Sequence, residues 1–226
     1  MHTPSHLTLS GVARRRVSTM LVALAGLALL PVAQAATVEE SVAELQQAWE
    51  VINYKTPAAE KEKKLEALAA RARKVSESFA GRPEPLVWEG IILSSWGGAK
   101  GGLGALGLVK QAKVLYEQAI QIDGNALDGS AYNSLGVLYY KVPGWPIGFG
   151  DKAKARDLLQ KALAINPKGI DANYFFADYL VETGDAPKAV AYLEKVMQAA
   201  PRAGRQIADE GRRGEARELM EKIKSK

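Results

Sequence analysis

The sequence predicts an all-α solenoid of antiparallel helix pairs, with capping helices at both ends and long glycine-rich inserts between paired helices. Three observations predict it. Small and bulky apolar residues recur at offsets of three and four through three consecutive stretches. Glycines stand where paired helices must turn, and proline or glycine closes each stretch. Amphipathic segments flank these stretches on both sides, as a stack needs in order to end in water.

Residues 1–35 are expected to be a cleaved signal peptide. Arg14, Arg15 and Arg16 precede an apolar run from Val17 to Leu30, then Pro31 and Ala33-Gln34-Ala35. A basic segment, an apolar core and an A-x-A site are the parts of a secretory leader. The run is shorter than the ~20 residues of a spanning helix, which argues against an uncleaved anchor and against stable membrane insertion. Paired arginines raise the twin-arginine route, but Val17-Ser18 departs from the apolar residues that should follow such a pair. Export to the periplasm by the general secretory route is the expectation.

Cleavage changes the inventory. Both histidines, His2 and His6, leave with the leader, as do three of the 30 Lys+Arg. The remaining 191 residues carry 27 basic against 25 acidic side chains, a formal charge of +2. Nucleic-acid binding, which needs a dense basic face, loses its support. The chain has no Cys, which excludes disulfides, thiolate metal sites and a lipid anchor on an N-terminal cysteine. Without histidine either, no metal or other cofactor is expected. Ser, Lys, Tyr and carboxylate chemistry remain available, but an enzyme is not the expectation, and no catalytic residue is assigned.

Residues 36–83 read as N-terminal capping helices, a degenerate repeat. Val38 to Asn53 places Val42, Leu45, Ala48 and Trp49 or Ile52 on one side. Ala58 to Phe79 places Leu65, Leu68, Ala72, Val75 and Phe79 at heptad-like steps. The repeats occupy 84–201. The clearest runs from Asp171 to Pro201, with Phe176, Ala177 and Leu180 on one helix, Gly184-Asp185 at the turn, and Ala189, Leu193 and Val196 on the second. The unit before it carries Leu135-Gly136 and Tyr139, then Ala155, Leu159, Ala162 and Pro167. A looser copy carries Trp88, Ile91 and Ile92, then Ala112, Tyr116, Ala119 and Gly124. Small residues let paired helices approach while large ones fill the groove between them. Residues 202–226 form a C-terminal cap, with Ala216, Leu219, Met220 and Ile223 on one face under a charged exterior.

Over roughly residues 84–201 this code resembles the tetratricopeptide repeat (TPR), whose period is ~34 residues. Two units are stretched relative to it. Gly136 to Ala155 has seven extra residues and Trp88 to Ala112 has eight. The inserts, Gly97–Gly107 and Val142–Gly150, are expected as two loops on one edge of the stack. Leu103, Leu106, Trp145, Ile147 and Phe149 are apolar residues within them. They can plug their own helix pairs or form an apolar lip for a partner or ligand. A phosphate cradle lacks the required GK[ST].

The segment Gly144 to Asp151, with the helices around it, also resembles periplasmic TPR proteins related to the T component of TRAP-type solute transporters. That resemblance implies an accessory assembling with a periplasmic solute-binding protein, or another envelope protein, and passing an apolar small molecule. Members of that group are typically anchored through an N-terminal Cys, which this chain lacks.

In TPR stacks the first helix of each pair lines the concave face. The groove positions here are expected at Glu89, Leu93 and Trp96, at Asn133, Val137 and Tyr140, and at Tyr174, Asp178 and Val181. With Trp145 and Phe149 from the second insert, these are the candidate partner- or ligand-binding residues. An apolar and aromatic stripe fits an amphipathic helix or extended peptide; it also fits packing against a neighbouring helix. Glu89 and Asp178 as a glycosidase pair would have to lie ~5–9.5 Å apart, although they are two repeats distant. The expected function is a non-catalytic periplasmic scaffold that docks a protein through groove and loops. The alternative is a carrier of a small apolar ligand beneath the loops.

Overall fold

A computed structural model describes residues 36–225; the expected signal peptide lies outside the described residues. Four antiparallel pairs follow one another: α1 (Val38–Lys55) with α2 (Ala58–Ser78), α3 (Pro83–Lys100) with α4 (Gly102–Asp123), α5 (Ala126–Lys141) with α6 (Lys152–Ile165), and α7 (Ile170–Glu182) with α8 (Ala186–Gln198). A ninth helix, α9 (Gln206–Lys224), ends the described chain. Both N-terminal capping helices fall where the periodicity places them.

Local chemistry starts and stops these helices. Thr37 and Glu40 form a reciprocal capping box on α1, each side chain holding the other's backbone N–H. Asp151 accepts the Lys154 N–H at 3.0 Å and opens α6. Pairs then nest on the predicted small residues. Ala112, Ala155, Ala177 and Ala189 are fully buried, and Tyr116, Leu159 and Leu193 fill the space beside them. Each such leucine stabilises the stack by about 1.5–3 kcal/mol through area removed from water. At Gly90 the approach is closest: a methyl there would lie 2.5 Å from the buried Tyr116 ring.

The first insert is not a loop. Gly97–Lys100 continues α3, Gly102–Gly107 opens α4, and only Gly101 separates them. Gly101 (φ 65°) and Gly102 (φ 56°) take the left-handed conformation that a one-residue reversal needs, which is why glycine stands there. The eight extra residues therefore lengthen both helices. Flanking lysine and apolar residues at helical spacing outweigh the low helix propensity of the glycines. The second insert is a loop, as expected, joining α5 to α6.

The stack closes on itself. Each first helix touches the next, α1 to α3, α3 to α5, α5 to α7 and α7 to α9, and α9 in turn touches α1. So α9 is more than a polar-backed cap, and it buries Asp209 and Arg212 along with Ala208, Ala216 and Leu219. The seam is polar. No local side chain caps α9; instead Glu50 of α1, 4% exposed, accepts the Ala208 N–H at 3.1 Å. A carboxylate at a helix N-terminus meets both an orphan donor and the positive end of the dipole. Asp209, 1% exposed, accepts the Arg202 N–H and guanidinium at 2.8 and 2.7 Å. Asp171 on α7 takes Arg202 at 2.7 Å and Arg212 at 2.8 Å. Arg212 is also bound to Glu215 and lies over the Tyr174 and Phe175 rings at 4.5 and 4.3 Å.

Burial alone would raise the Asp171 carboxyl, but Arg212 and Arg202 outweigh it and hold it well below the usual carboxylate range. A depressed carboxyl stabilises the fold fully above its unfolded value and loses that contribution only as pH falls through its folded one. Asp171→Asn should therefore cost about 2–3 kcal/mol at neutral pH by urea unfolding. That lies at or below the ~3–5 of a fully buried pair, because 34% of the side chain is open to the cavity described below. The gap between wild type and variant should persist down to about pH 4 and close below it. Equal stabilities at neutral pH would show that α9 is not held through Asp171.

Candidate functional site

Ring closure turns the concave groove into a half-open chamber. The cavity measures ≈ 380 Å³. Its apolar wall is Trp49, Trp88, Ile91, Tyr116, Val137 and Phe175; its polar wall includes Ser94, Ser134, Asn133, Asp171 and the three arginines 202, 205 and 212. Trp49 is fixed by donating to Ser95 Oγ at 2.8 Å and by edge contacts with Trp88 (5.8 Å) and Tyr54 (5.9 Å). The Tyr116 hydroxyl lies 3.0 Å from Ser94 Oγ, and burial pushes its pKa up, so it remains a neutral phenol. A larger outer chamber of ≈ 770 Å³ shares Leu127, Asp128, Ser130, Asn133, Asp171 and Arg202 with the inner one. Lys168 and Lys195 line it. At the junction Leu127 (φ 49°) and Asp128 (φ 56°) hold left-handed backbone that non-glycine residues rarely adopt.

Of the predicted groove residues, Asn133 and Val137 line the chamber and the others do not. Glu89 faces α2, near Arg73 and Glu77, where burial raises its pKa. Leu93 is core, and Trp96 packs against the core beneath Lys100 at 5.9 Å. The Tyr140 hydroxyl donates to Asp178 at 2.7 Å, and Lys141 pairs with the same carboxylate at 2.8 Å, tying α5 to α7. Tyr174 supports Arg212. Glu89 and Asp178 thus serve different interfaces and share no cleft. The reason is curvature. A ring this tight presses the flanks of adjacent first helices together, so side chains that would face an open groove are consumed in helix–helix contacts. On α3 the inward stripe is Trp88, Ile91 and Ser95, displaced from the expected Glu89, Leu93 and Trp96.

The second insert divides as its two readings did. Phe149 packs edge-on against Tyr139 at 5.6 Å, beside Lys113 at 6.0 Å, so it plugs its own helix pair. Trp145 and Ile147 point outward, 89% and 61% exposed. The loop is pinned at its base: Gly150 N–H donates to Pro143 O at 2.9 Å and Asp151 N–H to Tyr139 O at 2.8 Å. Leu103, at the α3–α4 reversal, is 85% exposed, whereas Leu106 packs against the core.

Glu50, Trp49, Asp171, Arg202, Arg205 and Arg212 shape the chamber and were not among the candidates. One signal was available. Asp209, Arg212, Ala216 and Leu219 lie at steps of three and four along α9, so the stripe that buries Ala216 also buries an acidic and a basic side chain, each of which then needs a partner from another segment.

Residues 147–209 match the family model described as Tetratricopeptide repeat. No curated protein matches the chain. A solved structure of yeast Tom70 is similar with 16% identity and a TM-score of 0.44. The match covers 82% of this chain and 41% of the yeast chain, so this chain spans less than half of that protein's length. Residues 147–209 are thus similar to the tetratricopeptide repeat, and the helix pairs before them bury small and bulky residues in the same alternation.

Proposed function

We propose that the protein is a non-catalytic periplasmic scaffold that docks a protein partner along the outer edge bearing Trp145, Ile147 and Leu103. The observation that carries this reading is Trp145. An indole 89% exposed, on a loop whose backbone is pinned at its base, is a large apolar side chain offered to solvent at a fixed place on the surface. Aromatic anchors of this kind dominate binding energy at protein interfaces, and preorganised ones lose little entropy on docking. The concave groove, the other half of the expected docking surface, is bordered by Ala208 and Arg212 of α9, and this reading places the partner on the outer edge instead.

Export agrees with the local chemistry at Ala36. Cleavage after Ala35 leaves Thr37 as the second residue, with its amide still available to Glu40, so the α1 cap survives processing. The partner is an envelope protein, and a solute-binding protein of a transporter fits the resemblance of Gly144–Asp151. For the carrier reading, Phe149 and Leu106 pack against the core beneath the loops, and the central chamber is the space that supports it.

A photo-crosslinking residue at position 145 should yield one discrete adduct in the periplasmic fraction, from a chain that begins at Ala36. Trp145→Ala should weaken binding of that partner at least tenfold, about 1.4 kcal/mol or more, while changing folding stability by under about 0.5 kcal/mol. Adducts no different from those formed at an exposed control position on α2, or a chain retained in the cytoplasm, would refute this reading.

A further inference from the structure

We infer that the central chamber binds a small organic carboxylate, with its anionic end on Arg205 and its aromatic or aliphatic body between Trp88, Tyr116 and Val137. The chamber's ≈ 380 Å³ falls within the ~300–1,000 Å³ typical of small-molecule sites. Its lining is mixed, with aromatic and aliphatic side chains set among serines, Asn133 and charged groups.

The polar groups select the ligand's chemistry. Two of the three arginines are committed: Arg202 binds Asp171 and Asp209, and Arg212 binds Asp171 and Glu215. Arg205 is held more loosely: among the described residues its one acidic contact is Glu50 Oε2, 3.5 Å from its Nε, an oxygen already accepting the Ala208 N–H, and that Nε makes no hydrogen bond of normal geometry. Its guanidinium lies 5.1 Å from the Trp88 ring centre. A planar fork with unused donors, stacked on an indole, recognises a carboxylate in two-pronged fashion. Burial, then the neighbouring Arg202, pulls the Arg205 pKa down, a cost that an incoming anion relieves.

A second group in the lining points to the same occupant. Asn133 is 6% exposed, lines both chambers, and its Oδ1 has no partner among the described residues. A buried amide oxygen left unmatched costs about 1–3 kcal/mol, which a hydroxyl or N–H on the ligand body recovers. The outer chamber is the way in. Lys168, Lys195 and Arg202 line it against Asp128 and Asp171, so the approach favours an anion. This site is independent of the outer docking edge.

Isothermal titration of the protein purified from cells that export it tests the assignment, using indole-3-acetate and octanoate, each beside its primary amide. At least one acid should bind saturably at one site per chain, at least tenfold more tightly than its amide. Arg205→Gln should erase that preference, and Val137→Trp, which fills the chamber, should abolish binding. Trp145→Ala should bind as wild type does, which separates this site from the docking edge. If Arg205→Gln does not fold, because Glu50 loses its partner, the acid–amide comparison and Val137→Trp decide. No saturable binding by either acid, equal affinity for acid and amide, or unchanged binding by Val137→Trp overturns the proposal.

Discussion

Glu50 sits on the first helix and accepts the amide of Ala208 on the last, across a sequence separation of 158 residues. An open solenoid exposes the first turn of its terminal helix to water. Here that turn is capped by a carboxylate from the opposite end of the stack, in a setting where charge-assisted hydrogen bonds are worth roughly 1.5–3 kcal/mol. Around this contact the Asp171–Arg202–Asp209 and Asp171–Arg212 pairs hold α9 to α7 and to the segment before it. Remove the seam and the chamber becomes a groove, its arginines become surface residues, and Trp49 and Trp88 face solvent. The interior chemistry of this protein is a consequence of closure.

Closure also separates the two surfaces on which the proposals rest. In an open repeat stack, one concave face serves both shape and chemistry. Here the inner face holds a half-open cavity of ≈ 380 Å³, and Trp145, Ile147 and Leu103 are large side chains exposed elsewhere. α5 contributes to both the chamber and the loop that carries Trp145. Its first turns carry the left-handed Leu127 and Asp128 at the chamber mouth, and its last turn feeds the Trp145 loop. Residues held in sparsely populated backbone cost about 1–3 kcal/mol each, and such strain concentrates where a site is being shaped.

Much of the fold was legible in the sequence, for a physical reason. Nesting of a hairpin requires small residues at fixed offsets, and Ala112, Ala155, Ala177 and Ala189 announce it without tertiary knowledge. The inserts were less legible. Gly97–Gly107 has a loop's composition, but a reversal needs only Gly101 and Gly102, and the flanking residues gain more by continuing the helices. The site was read least well. Which face of each first helix looks inward depends on the curvature of the whole stack, and that is set by contacts at its two ends. Glu89, Leu93 and Trp96 satisfy the rule for an open groove, whereas the ring turns Trp88, Ile91 and Ser95 inward. Glu50 reads as one more exposed carboxylate until its partner on α9 is known.

Hydrogen–deuterium exchange at the Ala208 amide tests ring closure most directly. The measurement compares the wild-type chain with Glu50→Ala, at a pH where both are folded. A closed ring holds that amide in the bond to Glu50, so its exchange in wild type should be slowed to nearly the level of the buried stretch of α7, and should quicken at least tenfold in the variant. Rapid exchange in wild type, matching a frayed terminal helix, or protection indifferent to the loss of Glu50, would contradict the closed ring.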